Sequence, residues 1–270
     1  MKISVITTLY NRPDHFRLFW AALAAQTRRP DELVVADDGS DETVAQTVQA
    51  AVAASGIPAV YVRQEKQGFR AAAARNRAVR ASTGDYLLFL DCDIALLPDA
   101  LAAHEAAAAS HRLLCGNRAL LDEAATRALF ESAATPPPGK IEAYWEAGNH
   151  AEWQLASRLF DRHARLRKWR VARPHKPKLL GCHFSLFRED VYGVNGFDEN
   201  FVGWGYEDDD FVRRLYRNGV IPWNLMREAR AVHLWHPSLA PGEAERHQPW
   251  PNRAYFRRRH VPTYCRNGLQ

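Results

Sequence analysis

Cysteine is scarce in this chain of 270 residues, and what there is stands apart: Cys92, Cys115, Cys182 and Cys265 form no CxxC pair. That spacing excludes a zinc knuckle and gives no disulfide framework, so a reducing compartment is expected. Long apolar runs are missing as well. The first, Ile3 to Ile6, is soon broken by Asn11-Arg12-Pro13, too short for a signal peptide and far too short for a bilayer span. A soluble, cytoplasmic protein is the expectation. Charge of one sign is not dominant either, since 36 Lys and Arg against 31 Asp and Glu leave only +5. So mild an excess does not by itself choose between nucleic acid, an anionic membrane face and phosphorylated substrates. No repeat at solenoid spacing is visible. Low complexity is confined to Pro136-Pro137-Pro138-Gly139, read as an exposed connector.

With 47% hydrophobic residues the chain can bury a sizeable core. Apolar runs of strand length recur at Ile3–Leu9, Glu32–Ala36, Ala59–Arg63, Tyr86–Leu90 and Arg112–Cys115. Helical patterns alternate with them at His15–Gln26, Asp41–Ser55, Ala71–Ala81 and Pro98–Ser110. Strand and helix in alternation predict an α/β fold, a mostly parallel sheet flanked by helices, with ligands bound beyond the carboxyl ends of its strands. Asp37-Asp38-Gly39-Ser40 and Asp91-Cys92-Asp93 both lie at such ends.

Two acid clusters occur in this basic chain. The run Tyr86 to Leu90 ends in Asp91-Cys92-Asp93, and Gly203-Trp204-Gly205-Tyr206 leads into Glu207-Asp208-Asp209-Asp210. Carboxylates two apart at a strand end project to one side, where both can reach a single divalent cation. Such a cation would bridge to something anionic. The second cluster sits where a helix begins, so its acids meet the positive end of the helix dipole and one can stay ionised as a base. Metal-assisted group transfer is the chemistry this pairing predicts.

Beyond the connector the pattern changes. Trp145, Trp153, Leu155, Leu159, Phe160 and Leu166 keep a helical rhythm among many charges, and Arg158 to Arg173 is strongly basic. One reading is a solvated helix packed on the core. The other is a face for anionic lipid or a charged acceptor. Gly181 to Ser185 and Val194 to Asp198 are rich in turn residues, and Asp208 to Asn218 reads as a helix closed by Gly219.

Several ordered segments carry a family resemblance. They are Val5-Ile6-Thr7-Thr8-Leu9-Tyr10-Asn11-Arg12, Val34 to Asp41 with Asp37-Asp38-Gly39-Ser40, Gly68-Phe69-Arg70 through Ala74-Arg75-Asn76, and Leu90-Asp91-Cys92-Asp93. Together they resemble the inverting nucleotide-sugar glycosyltransferases of family 2, which have the GT-A fold. Asn195 to Phe201 followed by Gly203 to Asp210 is similar to the segment shared by β-1,4-galactosyltransferases and bacterial chondroitin-type polymerases. The resemblance covers most of the chain. It implies a single GT-A domain over 1–270, with a nucleotide-sugar half at 1–116. An acceptor-side half would follow at 117–270, holding a helical insert at about 141–173.

The resemblance also implies roles. Asp38 would accept from the uracil imide of a UDP-sugar, and Arg75 would offer its fork to the diphosphate. Thr8, Tyr10, Arg12, Gly68, Asp91, Cys92, Trp204 and Gly205 would line the donor, with Asp91 facing the ribose or a metal-bound water and Trp204 a sugar face. Asp93 would ligate Mn²⁺ or Mg²⁺. A carboxylate about 4 Å from a diphosphate charge is repelled by roughly 4 kcal/mol at an effective dielectric of 20, so donor binding needs that cation. A further ligand is implied in Val232-His233-Leu234-Trp235-His236. His233 is favoured because its side chain alternates with Val232 and Leu234, and His236 is the other choice. Asp208 would be the base and Glu207 would hold an acceptor hydroxyl. Gly203 and Gly205 suggest a mobile loop. His183 stands where many relatives carry asparagine, and His104, His111, His163 and His175, in charged or loop surroundings, receive no role.

The implied partners are a nucleotide-sugar donor and a glycan, lipid-linked glycan or small-molecule acceptor. Nucleic acid is not among them. Peripheral membrane contact would run through the basic segments, at the inner face. Two rivals stand beside this reading. A metal-dependent nucleotidyltransferase would use Asp91 and Asp93 but has no need of Gly203 to Asp210. A non-catalytic sugar- or polyanion-binding module would use Arg158–Arg173 and the tail Arg257-Arg258-Arg259-His260.

Overall fold

A computed structural model describes residues 1–54, 56–131, 138–147, 150–237 and 250–270. Its first third alternates as expected: β1 (Ile3–Leu9), α1 (Pro13–Ala24), β2 (Glu32–Asp37), α2 (Glu42–Ala53), β3 (Ala59–Arg63), α3 (Ala71–Ala81) and β4 (Tyr86–Asp91). There follow β5 (Ile94–Leu96), α4 (Ala100–Ala107), β6 (Arg112–Cys115), β7 (Ala119–Leu120) and α5 (Glu123–Glu131). The helical insert is α6 (Pro138–Ala147) and α7 (His150–Lys168). The rest comprises β8 (His183–Phe187), α8 (Arg188–Gly193), α9 (Glu207–Arg217), β9 (Ile221–Asn224), β10 (Ala231–His233) and α10 (Pro251–Phe256). Ser55 of the expected second helix and Pro136-Pro137 of the expected connector lie outside the described residues, while Pro138-Gly139 open α6 rather than a loop. No helix among the described residues is long and apolar enough to cross a membrane.

Seven strands form the main sheet in the order β3-β2-β1-β4-β8-β6-β9. All neighbours run parallel except β8, which lies antiparallel between β4 and β6. Strands buried on both faces read as near-continuous apolar runs, as β2 and β4 do between their acids, while β1 is buried almost throughout with Ser4, Thr7 and Thr8 among its apolar residues. One face is closed by a core containing Ala72, Ala78, Val79, Phe184, Phe197, Phe211 and Leu215, the other by Phe16, Phe19, Leu23, Val48 and Leu101. Phe89 and Phe184 stack across the β4–β8 register with centroids 4.6 Å apart, a contact worth about 0.5–1.5 kcal/mol beyond its buried area.

A second sheet, β5-β10-β7, sits beyond the carboxyl end of β4. Its pairing joins segments far apart in the chain. β10 runs antiparallel to β5, setting His233 opposite Ile94, the residue after Asp93. Leu234 N–H also donates to the Asp93 carbonyl at 2.9 Å.

α9 is fastened from within. Arg214, fully buried, donates Nε to Asp210 Oδ2 at 2.7 Å and Nη1 to the carbonyls of Val194 and Gly196 at 2.7 and 2.8 Å. Four acids fill the first turn of this helix and Arg214 and Arg217 the last, the arrangement its dipole favours. Gly219, at φ 89°, follows its end as the sequence predicts.

Candidate active site

β4 delivers Asp91, and the chain then turns at Cys92 and Asp93 instead of continuing extended. The turn separates two carboxylates that strand alternation alone would have pointed together. Asp91 Oδ1 lies 3.3 Å from Arg75 Nη2, whereas Asp93 faces Arg12, His233 and His236. The expectation that both reach one cation is therefore corrected. Among the described residues the set of potential ligand atoms within 4.8 Å of one another is Asp93, His233 and His236.

Both histidines belong to that set. His236 Nε2 is 3.0 Å from Asp93 Oδ2 and His233 Nε2 is 3.7 Å from Oδ1. His236 Nδ1 sits 2.8 Å from the Pro237 carbonyl, which leaves Nε2 as the nitrogen turned toward Asp93. Burial pushes the His233 pKa down to about 4, against the pull of Asp93, so this ring is neutral with its lone pair available. Asp93 Oδ1 is buried without a hydrogen-bond partner among the described residues. Burial alone would raise the Asp93 pKa, but His236, His233 and Arg12 outweigh it and hold the carboxyl below its usual value. An ionised carboxylate with an orphaned oxygen beside two imidazole nitrogens fits a divalent cation.

The second acid cluster meets the first at Arg75. This buried guanidinium lies 3.0 Å from Asp208 Oδ1 and 3.3 Å from both Glu207 Oε1 and Asp91 Oδ1, and donates to the Gly181 carbonyl at 3.4 Å. The residue expected at a diphosphate is thus occupied in holding three carboxylates. Burial, Glu207 and Asp91 together push the Asp208 pKa up to about 8 against the opposing pull of Arg75, and Asp91 is raised to about 6 chiefly by burial. Asp208 keeps 24% of its side-chain surface open, enough for a substrate hydroxyl to reach it. A Cβ on Gly181 would stand 1.9 Å from Asp208 Oδ2, so only glycine lets the carboxylate lie there.

Just past the carboxyl end of β2, Asp38 is buried and accepts from Gln64 Nε2 at 2.5 Å and Arg70 N–H at 3.0 Å, with Lys66 Nζ at 3.6 Å. Asp37 caps the turn through Ser40 N–H at 2.7 Å. Lys66 Nζ stands 3.2 Å over the Tyr10 ring, which is exposed beside Asn11 and Arg12. Thr8 pairs with Asp91 across β1 and β4. Gly68 has φ 79° with open space at its Cα. Cys92, by contrast, turns its thiol into the apolar core, leaving only backbone on the cleft side.

The Gly203 to Tyr206 segment is more tightly held than its glycines suggest. Gly203 N–H donates to the Phe69 carbonyl at 2.8 Å. Trp204 stacks on Trp250 at 5.3 Å, and the buried Asn252 amide donates to the carbonyls of Gly203, Trp204 and Gly205 at 3.1 to 3.4 Å. Gly205 takes φ 91°, a conformation closed to other residues without strain. The expected mobile loop is a pinned one in this structure.

Sequence reasoning missed Gly181 and Asn252, which no spacing rule singles out, and it misjudged His104. That ring is wholly buried: Nδ1 lies 2.6 Å from Ser185 Oγ and Nε2 lies 2.9 Å from His183 Nε2. His183 Nδ1 must donate to the Asn117 carbonyl at 3.2 Å, so its Nε2 accepts from His104, and His104 Nδ1 accepts from Ser185. Tyr86 OH completes the chain by donating to Ser185 at 2.8 Å. Two neutral rings in fixed tautomers thereby tie β8 to α4 directly behind Cys182 and Gly181. Arg118 was also overlooked. Its charge acts on His183 and His233, and its Nε is buried without a hydrogen-bond partner among the described residues.

Comparison with known proteins bears on the family and the fold. The model of glycosyl transferase family 2 matches residues 4–165, and that described as the N-terminal domain of galactosyltransferase matches 161–233. Validoxylamine A glucosyltransferase of Streptomyces hygroscopicus subsp. limoneus is 33% identical over 87% of this chain and 52% of its own length. Chondroitin synthase of Escherichia coli is 28% identical over 86% of this chain and 34% of its own. The chain thus spans about half the length of the first relative and a third of the second. Among solved structures, TarS 1–349 of S. aureus with UDP superposes with a TM-score of 0.58 at 20% identity, covering 88% of this chain and 61% of that one. The mannosyltransferase PcManGT of Pyrobaculum calidifontis with GDP-Man and Mn²⁺ gives 0.57 at 18% identity, over 86% and 56%. These likenesses confirm the GT-A fold, and with the family match over 4–165 they make the chain a member of glycosyl transferase family 2.

Proposed function

We propose that the chain catalyses inverting, metal-dependent transfer of a sugar from a UDP-linked donor to a hydroxyl of a glycan, lipid-linked glycan or small molecule. One observation carries the reading: acids remote in sequence, Asp91 and the pair Glu207-Asp208, share the Arg75 guanidinium, while Asp93 faces His233 and His236. Residues 1–116 would bind the donor and 117–270 the acceptor, with 141–173 as a helical insert. Contact with a membrane would run through the basic segments. A nucleotidyltransferase has no need of Asp208 beside an open cleft, and a binding module has no need of either acid cluster.

Asp208 would take the proton from the acceptor hydroxyl as that oxygen attacks the anomeric carbon from the face opposite the departing diphosphate. It must be ionised to do so, and with its pKa raised to about 8 the share able to accept the proton grows as pH rises toward that value. Arg75 would hold Asp208 and Asp91 in place, and Glu207 would orient the hydroxyl. Asp38 would read the base, with Tyr10 and Lys66 beside it. Asp93, His233 and His236 would hold Mn²⁺ or Mg²⁺, which when bound supplies positive charge for the leaving nucleoside diphosphate.

The test is a panel of nucleotide sugars with Mn²⁺ or Mg²⁺, scored by released nucleotide and by the anomeric coupling of the product. UDP and a β-linked product are expected from an α-linked UDP-sugar. An α-linked product, release of pyrophosphate, or full turnover in excess chelator would overturn the proposal.

A further inference from the structure

α7 carries two apolar faces. Phe160 is buried in the main core, with Trp153 and Ala164 packed beside it. On the opposite side Leu155 and Leu159 are 57% and 41% exposed, and just past the helix end Trp169 and Val171 are 73% and 67% exposed. Leu155, Leu159, Arg162, Leu166 and Trp169 follow one another at steps of four and three, which sets them on one stripe. Nothing among the described residues covers Leu155, Leu159 or Trp169.

The end of this helix is built, not frayed. Arg170 adopts φ 60°, its N–H donating to the Arg167 carbonyl at 2.9 Å, while Val171 N–H donates to that of Leu166 at 3.1 Å. Arg167 Nε then donates to the Lys176 carbonyl at 2.9 Å and folds the next loop back onto α7. Trp169 is thus held outward by ordered backbone.

Charge concentrates at the same place. Residues 158–178 hold nine Lys and Arg against one acid, Asp161. That is a net +8 in a chain of net +5, so the other residues together carry −3. The tertiary structure adds the second basic segment. His175 packs edge-on against Phe256 at 5.4 Å, beside the exposed Arg257 and Arg259. Phe256 in turn stacks on Tyr206, which precedes Glu207 and Asp208. Lys178 lies 3.8 Å from Asp209. The basic face therefore reaches the rim of the candidate active site.

We infer that this face of α7 and the loop after it docks on an anionic lipid bilayer, with Leu155, Leu159, Trp169 and Val171 entering the interface and the cations meeting the headgroups. Such a surface is both apolar and negative, matching the leucines and Trp169 and the cations around them at once. A dissolved polyanion would satisfy the cations and leave the leucines and Trp169 in water. A second copy would bring the same positive face against its own. The inference rests on the proposed function only for its purpose, the presentation of a membrane-borne acceptor hydroxyl to Asp208.

The experiment is co-sedimentation with vesicles of phosphatidylglycerol and phosphatidylcholine in equal parts, and with phosphatidylcholine alone, at low and high salt. The protein should bind the anionic vesicles at low salt only. Both Leu159→Glu with Trp169→Glu and Arg162→Glu with Arg165→Glu should weaken binding by about tenfold or more. UDP binding and transfer to a water-soluble acceptor should be unchanged in both, which reports folding and separates failure of docking from failure of the proposed function. No binding to anionic vesicles at low salt overturns the inference. So does undiminished binding by the Leu159→Glu, Trp169→Glu variant together with equal competition by a soluble acidic polysaccharide, which would make the face a polyanion site.

Discussion

Asp91 and Asp93 stand two residues apart at the end of one strand, yet the protein treats them in opposite ways. Asp91 points to Arg75 and is raised to about 6, chiefly by burial, while Asp93 points to two histidines and Arg12 and is held low. Asp208, on the Arg75 side, is raised further, to about 8. Under the proposed function the same chemical group would serve as a proton acceptor on one side and as an ionised metal ligand on the other. What differs is the neighbour. Three carboxylates sharing one guanidinium cannot all stay charged at little cost, whereas one carboxylate among nitrogen bases and a guanidinium can.

The comparison breaks most severely if the base is removed. Asp208→Asn should keep UDP binding and lose turnover by about 10²–10⁴-fold, measured by nucleotide release and by calorimetry with UDP. Near-normal turnover would move the base elsewhere. Arg75→Met takes away the cation three acids share and should cost about 3–5 kcal/mol of stability, read by denaturant unfolding. The loss should shrink as pH falls, because protonating the acids removes their repulsion, whereas Mn²⁺ affinity at Asp93 should change far less. Equal stability at neutral pH would mean that Arg75 does not hold the clusters together.

Gly181→Ala tests the acid side more gently. Its methyl would displace Asp208 and should lower turnover on the order of 10²-fold while leaving metal binding intact. The smallest expected effect is the pH dependence of the metal-free protein. Because folding raises the Asp208 pKa, its contribution to stability is full below the ordinary carboxylate range and disappears as pH rises through about 8. Asp93, lowered by folding, acts the other way, with stability present above its ordinary pKa and lost as pH falls through the depressed one. Asp208→Asn should therefore flatten the decline in melting temperature toward pH 8. An unchanged slope would assign the decline to other groups.

Much of this was legible in the chain. Apolar runs ending in acids mark β2 and β4, because strands buried on both faces need no polar alternation, and Gly219 marks the end of α9. β8 was not legible as a strand of the main sheet. Gly181 to Ser185 is rich in small and polar residues, and its polar side chains are acceptable in the core only because His104, His183, Ser185 and Tyr86 satisfy one another. His104 looked idle for the same reason: its partners come from β4 and β8, which no local pattern joins to α4. The glycines of Gly203 to Tyr206 suggested motion, but Asn252, from a distant helix, supplies the donors that pin it.

By itself the sequence determined the alternating elements, the two acid clusters and the family, because these depend on residue type and short-range spacing. Tertiary structure alone decided which groups each acid faces. The turn at Cys92-Asp93 parts Asp91 from its neighbour, the β5–β10 pairing carries His233 to Asp93, and Arg75 draws Glu207 and Asp208 to Asp91. A carboxylate's proton affinity is set by the burial and charges around it, and those come from residues that the chain brings together only by folding.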